Sequence, residues 1–218
     1  MKILALNIAF RNENFYKRWR LMSQNFTDTS VTLVGPKYYS YGHAGKPIIF
    51  EPEQILEDKF KVFHVDMSLK RILRNDWWDW KLFRIILQEK PDIIYLIGLE
   101  SKNPLFISKL ASVFLKKKPI IGMFSMRGTD FNLNIFTKLR WTFGKKWYNF
   151  IHVHYPHGKK LYKEIIKFKK NICLQTQIGV DKDLYFPIKE KRIVIRKQYS
   201  ILSSDFVFGA AIRIQKAK

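Results

Sequence analysis

The chain has 218 residues, 47% hydrophobic and 16% aromatic, with 40 Lys and Arg against 18 Asp and Glu for a formal charge of +22. That is apolar material enough for one large domain or two small ones, and no stretch approaches the ~18–20 uninterrupted apolar residues of a bilayer-spanning helix. The single Cys173 excludes an internal disulfide framework. Met1–Leu6 leads straight into polar residues and lacks the long apolar core of a signal peptide. A reducing cytoplasm is therefore the expected compartment, with Cys173 as a small core residue. The basic excess favours anionic partners, whether nucleic acid, lipid headgroups or phosphorylated substrates. Lysines spread over solvated helix faces account for it equally well.

Taken in order, Lys2–Ala9 reads as a strand, and 15–26 as a helix with Phe15, Trp19, Met22 and Phe26 at helical spacing. Ser30–Val34 reads as a strand ending at Gly35-Pro36, followed by a loop-rich section from Tyr38 to Pro52 with clustered Tyr, Gly and His. Phe60–Val65 alternates as a strand does, and 77–88 reads as a helix closed by Lys90 and Pro91. Strands are predicted over 92–97, 119–124, 149–154 and 172–176, with helices over 104–115, 135–147 and 156–168 between them. Strands separated by helix-length segments imply parallel βαβ units with right-handed crossovers. The apolar runs 93–97 and 120–124 fit a sheet covered on both faces. The expected fold is α/β, a doubly wound Rossmann-like sheet, whose ligands bind beyond the carboxyl ends of its strands.

Three of those carboxyl-end segments carry candidate chemistry. The first, Asn7–Asn14, lacks the Gly-x-Gly-x-x-Gly that lets backbone amides approach a pyrophosphate. A standard dinucleotide site is therefore not expected there. Its Arg11, with Arg18 and Arg20 on the following helix, either faces a ligand phosphate or stands in solvent. The second segment is Gly98–Asn103, where Glu100 either hydrogen-bonds a ligand hydroxyl or serves the following helix as a favourable N-terminal charge. The third is Ser125–Asp130. Gly128 permits a tight turn, Arg127 offers a fixed cationic fork for phosphate or carboxylate, and Asp130 either accepts a hydroxyl proton or caps the next helix.

The last forty residues organise the rest. After the apolar run at 172–174 comes Ile178-Gly179-Val180-Asp181-Lys182-Asp183-Leu184-Tyr185-Phe186-Pro187, then a charged run and a second apolar strand, Phe206–Ile212, before Arg213 and Lys218. Gly179 suits a sharp turn, and Pro187 stops a strand from continuing. This stretch resembles the interdomain hinge of GT-B glycosyltransferases, most closely family 4. There a Gly-Val-Asp-x-x-x-Phe-x-Pro-like hinge joins the acceptor domain to the nucleotide-sugar domain. The second domain of that family opens with a strand ending Gly-x-x-x-Arg-x-x-x-x-Lys, matched here by Gly209, Arg213 and Lys218, with Ile212 where a Gly usually precedes the Arg. Arg127-Gly128-Thr129-Asp130 is similar to the family's His/Arg-Gly-x-Asp motif.

The resemblance implies an acceptor-binding Rossmann-like domain over 1–177, a linker and helix over 178–204, and the first strand of an otherwise missing nucleotide-sugar domain over 205–218. It implies a hexosyltransferase-type glycosyltransferase that moves a sugar from a nucleotide-diphospho-sugar co-substrate to a glycan or lipid-linked acceptor in surface polysaccharide synthesis, without a cofactor or an obligatory metal. Asp130 becomes the candidate catalytic residue, Arg127 and Glu100 the acceptor-side contacts, and Arg213 and Lys218 the donor-diphosphate contacts. An arginine at 127 stays charged and cannot be a general base. The family's Glu-x7-Glu is absent from these residues, so the fragment is expected to be inactive alone. Work at the inner face of an anionic membrane fits the charge.

The alternative is a non-catalytic basic Rossmann-like module that docks on anionic membrane or nucleic acid. Trp77-Trp78-Asp79-Trp80 and Lys138–Phe150 mix aromatics with cations, as single-strand nucleic-acid binders and interfacial helices do. Aromatics turned to the core with cations snorkelling outward give the same pattern. His152 and His154 share one face of a strand but have no Cys or carboxylate to complete a metal set.

Overall fold

The computed structural model describes residues 1–7, 10, 13–39, 48–49, 54–65, 80–98, 103–125, 141–174, 188–202 and 204–205. At 13–15, 38–39 and 48–49 it describes the backbone alone. The chain divides into two compact units, Met1–Gln177 and Ile178–Lys218.

The first unit is built on an eight-stranded sheet. Its strands are β1 (Lys2–Asn7), β2 (Ser30–Pro36), β5 (Ile55–Leu56), β6 (Phe60–Val65), β7 (Ile93–Ile97), β8 (Ile120–Ser125), β9 (Phe150–Val153) and β10 (Asn171–Leu174). A separate antiparallel pair joins β3 (Tyr38–Tyr39) to β4 (Ile48–Ile49). The order across the large sheet is β10-β9-β8-β7-β1-β2-β6-β5, parallel throughout except for the short hairpin of β5 on β6. Chain order thus runs outward from β1 to β2 and β6 on one side, and from β7 to β10 on the other. The fold is α/β and doubly wound, as the alternation of apolar runs and helix-length segments predicts.

The helices are α1 (Glu13–Asn25), α2 (Trp80–Glu89), α3 (Asn103–Phe114) and α4 (Pro156–Glu164). Residues 141–144 are also helical and continue into a single 3-10 turn at Lys145–Trp147. Alternate residues of the strands feed two apolar layers. On one face Leu4, Leu6, Ile94, Leu96, Ile121, Met123, Ile151 and Val153 pack with Leu82, Ile85 and Ile86 of α2 and Leu105, Ile107 and Ala111 of α3. Trp141 joins this layer, its ring 5.5 Å from that of Tyr162 and 6.1 Å from that of Tyr148. On the other face Ala5, Val31, Leu33, Phe60, Val62 and Ile97 pack with Phe10, Tyr16 and Trp19.

Several sequence expectations change in detail. The inward side of α1 is Tyr16, Trp19 and Ser23, and Phe26 lies past the helix end, 60% exposed. The strand expected to stop before Gly35 runs through Pro36: it pairs with β1 only as far as Val34, and with β6 alone beyond. A proline is tolerated there because nothing on the β1 side requires its missing N–H. The strand expected over 172–176 is not buried, and Cys173 is exposed rather than in the core. β10 is the outermost strand, hydrogen-bonded only to β9, so an apolar run there does not signify cover on both faces. The apolar strand expected over 206–212 lies outside the described residues.

In the second unit the described element is α5 (Lys189–Gln198), none of whose residues is buried. Its C-terminal side is tied by a bond from Arg196 Nη2 to the carbonyl of Asp205 (2.8 Å), whose carboxylate accepts from the Leu202 N–H (2.8 Å).

Candidate functional site

The direction of chain progression reverses between β1 and β7, so the crevice at a topological switch point opens at their carboxyl ends. Asn7 ends β1 and is paired in register with Ile97, the last residue of β7. Gly98 follows at φ +64°, and its N–H donates to the carbonyl of Phe124 on β8 (2.9 Å). Among the described residues nothing lies within 4 Å of where its Cβ would stand, so the glycine serves the left-handed backbone. β8 then ends at fully buried Ser125.

The segments holding Glu100 and the Arg127–Asp130 motif therefore leave from neighbouring parallel strands at one edge of the sheet. Glu100, Arg127, Asp130, Arg213 and Lys218 themselves lie outside the described residues, as does the Gly-Val-Asp hinge. Of the arginines near the first segment, Arg20 is engaged structurally. It bonds Glu57 at 2.7 Å, and its guanidinium lies 5.3 Å from the centre of the Phe60 ring. Its guanidinium is thus engaged with the β5–β6 side of the sheet through Glu57 and Phe60.

Sequence reasoning missed the device that fixes the start of the β1–α1 connection. Phe10 is fully buried, its ring edge-on to Trp19 at 6.3 Å. Its carbonyl accepts a 2.8 Å bond from Nε2 of His64, which is 3% exposed near the end of β6. Gly35, paired with His64 across β2 and β6, lies against the same carbonyl: a Cβ there would stand 2.4 Å from the Phe10 oxygen. Because Nε2 carries the donated proton, Nδ1 is the unprotonated nitrogen, buried without a partner. Desolvation lowers the His64 pKa below its usual 6.5; the Phe10 carbonyl opposes this, and the charges of Lys81 on α2 and Lys37 after β2 reinforce it.

The folded state thus holds His64 neutral at a pH where the unfolded chain already binds a proton. Stability from this group is fully present above about pH 6.5 and is lost as pH falls toward the depressed folded value. We expect His64→Gln, which offers an N–H at the position of Nε2 but does not titrate, to flatten the fall in melting temperature between pH 7 and 5. Parallel melts of both proteins check this. An unchanged slope would show that His64 does not govern it.

A second, partly buried pair lies on the same sheet face. The Tyr95 hydroxyl of β7 and Nδ1 of His152 on β9 share a hydrogen bond at 2.6 Å. Burial raises the Tyr95 pKa and lowers that of His152, so both groups favour their neutral forms. Gly122, on the strand between them, makes the reach possible. Phe150 lies across it, 2.1 Å from where a Cβ would be, and stacks on Tyr95 at 6.0 Å. His152 and His154 do share a face, but His152 is committed to Tyr95. Among the described residues, no three or more His, Cys, Asp or Glu side chains gather to hold a metal ion. Nor is any described helix long and apolar enough to cross a membrane.

No protein-family profile matches the sequence, and no curated protein matches it. Among solved structures the chain is similar to a sucrose-phosphate synthase from Thermosynechococcus elongatus, at 9% identity and a TM-score of 0.57. The match covers 94% of this chain and 53% of that one, so these residues span about half of that structure. What the two share at this identity is the fold, a Rossmann-like α/β arrangement.

Proposed function

We propose that these 218 residues are the acceptor-binding half of a GT-B glycosyltransferase of the family 4 kind. Residues 1–177 form the acceptor domain, 178–204 the linker, and 205–218 the opening strand of the nucleotide-sugar domain. The observation that carries the reading is the fold shared over 94% of the chain with about half of a sucrose-phosphate synthase. It is supported by Gly98 and Ser125 on adjacent strand ends, which launch the segments of Glu100 and of Arg127–Asp130 from the switch-point edge.

In this reading an acceptor hydroxyl attacks the anomeric carbon of the donor as the bond to the diphosphate breaks. Asp130 takes up or orients the hydroxyl proton. Arg127, always protonated, and Glu100 hold the acceptor. Arg213 and Lys218 neutralise the charge that grows on the departing diphosphate, where positioned cations act most strongly in the transition state. No metal is needed for these steps. The transferred sugar goes to a glycan or lipid-linked acceptor of a surface polysaccharide.

Most donor contacts belong to the second domain. Calorimetry of the 218-residue chain with UDP- and GDP-sugars is therefore expected to give weak binding or none. A protein carrying both halves is expected to release nucleoside diphosphate from one of these donors when acceptor is present. Micromolar donor binding by the 218-residue chain alone would overturn the assignment of the donor site to the second domain.

A further inference from the structure

A helix packed on a sheet ordinarily turns a polar face outward, and α3 does not. Its inward side is Pro104, Leu105, Ile107, Ser108, Ala111 and Ser112, all buried. Its outward side is also apolar: Phe106 is 42% exposed, and Val113 and Phe114 are each 66% exposed. Lys109 is the only charge in its twelve residues.

The apolar surface continues sideways onto α2. The Phe114 ring meets Phe83 edge-on at 5.7 Å, and Phe83 meets Trp80, itself 59% exposed, at 5.6 Å. Phe114, Phe83 and Trp80 thus form one connected run of rings across two neighbouring helices, with exposed Val113 next to Phe114 in the chain. Scattered exposed apolar residues need no explanation, but a contiguous patch of this kind marks an interaction surface.

The charge around the patch names the occupant. Directly after Phe114 the chain runs Leu115, Lys116, Lys117 and Lys118, and no acidic residue occurs anywhere from Asn103 to Pro119. Across the turn, the Asp92 carboxylate is already held by Lys117 at 2.6 Å and by the Lys2 N–H at 2.8 Å. At twelve residues α3 is about 18 Å long, well short of a bilayer's hydrocarbon thickness. It is therefore suited to lie along a membrane and not to cross it.

We infer that the outer face of α3, with Trp80 and Phe83 of α2, is a docking surface for an anionic lipid bilayer. The aromatic rings and Val113 enter the headgroup boundary, and Lys116 and Lys118 meet the lipid charges. The inference stands apart from the glycosyltransferase reading, since it uses neither the carboxyl edge of the sheet nor the second unit.

Sedimentation of the 218-residue chain with vesicles tests it. Vesicles of phosphatidylcholine and phosphatidylglycerol in equal parts are expected to bind the chain at low salt, and phosphatidylcholine alone is not. Added salt should release it, as screening shortens the reach of the lysines. The variant Lys116→Gln/Lys118→Gln, which leaves the Lys117–Asp92 pair intact, is expected to weaken binding roughly tenfold or more. Val113→Ser/Phe114→Ser should weaken it comparably while melting close to the parent. Failure to bind the anionic vesicles, or equal binding to both kinds, overturns the inference. So does an association of the chain with itself that Val113→Ser/Phe114→Ser abolishes, because the patch is then a contact between copies.

Discussion

Gly35→Ala is expected to be strongly destabilising, because the methyl group it adds meets backbone. Its Cβ would stand 2.4 Å from the backbone oxygen of Phe10 and 3.1 Å from the Phe10 Cβ. A flexible side chain could turn away from such a contact, but a backbone carbonyl moves only if its segment moves. Relief means pushing the start of the β1–α1 connection outward. That lengthens the His64–Phe10 bond and disturbs the buried ring that Phe10 sets against Trp19. Overpacking of this kind costs ~1–3 kcal/mol, and an impaired bond to a buried acceptor adds about 1 kcal/mol or more. The expected total of about 3 kcal/mol lowers the melting temperature by roughly 6–12 °C for a unit of this size. Gly98→Ala is the comparison: with space around it and only the left-handed backbone to strain, it should cost about 1 kcal/mol. Melting all three proteins side by side decides the matter. Equal effects of the two substitutions would show that the carbonyl contact at Gly35 is not tight.

Neither glycine's role could be told from the local sequence. Gly35 stands before a proline and reads as the end of a strand, yet the strand continues, and the glycine answers to a carbonyl 25 positions earlier in the chain. His64 reads as one residue of an alternating strand, and its partner is 54 positions away. Such pairings leave no periodic signal. What was legible followed from local physics: apolar runs of strand length, helix-length separations, and proline or glycine at the joints. Those rules predict the parallel order of the sheet and place the candidate segments at its carboxyl edge. They do not identify an edge strand, because the run at 172–174 is as apolar as one covered on both faces. Cys173 reads as an inside residue for that reason, and it is exposed on β10, the outermost strand of the sheet. The mixture of aromatics and cations at 77–80 and 138–150 divides in the same way. Trp141 and Tyr148 turn into the core, while Trp80 and Phe143 stay exposed. Composition alone cannot separate the two groups, since both satisfy the same pattern until the sheet decides which side is covered.

The largest expected effect on activity belongs to Asp130, which follows β8 by five residues on the segment that leaves Ser125. Two roles suit an aspartate there, and they diverge under one substitution. As a helix cap, its side chain accepts from a backbone N–H, which asparagine does about as well. As the group that takes or orients the acceptor hydroxyl proton, it depends on its carboxylate, which asparagine lacks. In the enzyme carrying both domains, Asp130→Asn is therefore expected to lower turnover by ~10²-fold or more with the melting temperature nearly unchanged. Asp130→Ala should lose activity to the same degree and in addition cost about 1 kcal/mol of stability if the residue also caps. Measuring turnover and melting for both variants separates the roles. Normal turnover in Asp130→Asn would end the catalytic assignment and leave the residue as a cap, because every step proposed for it runs through the charge which that change removes.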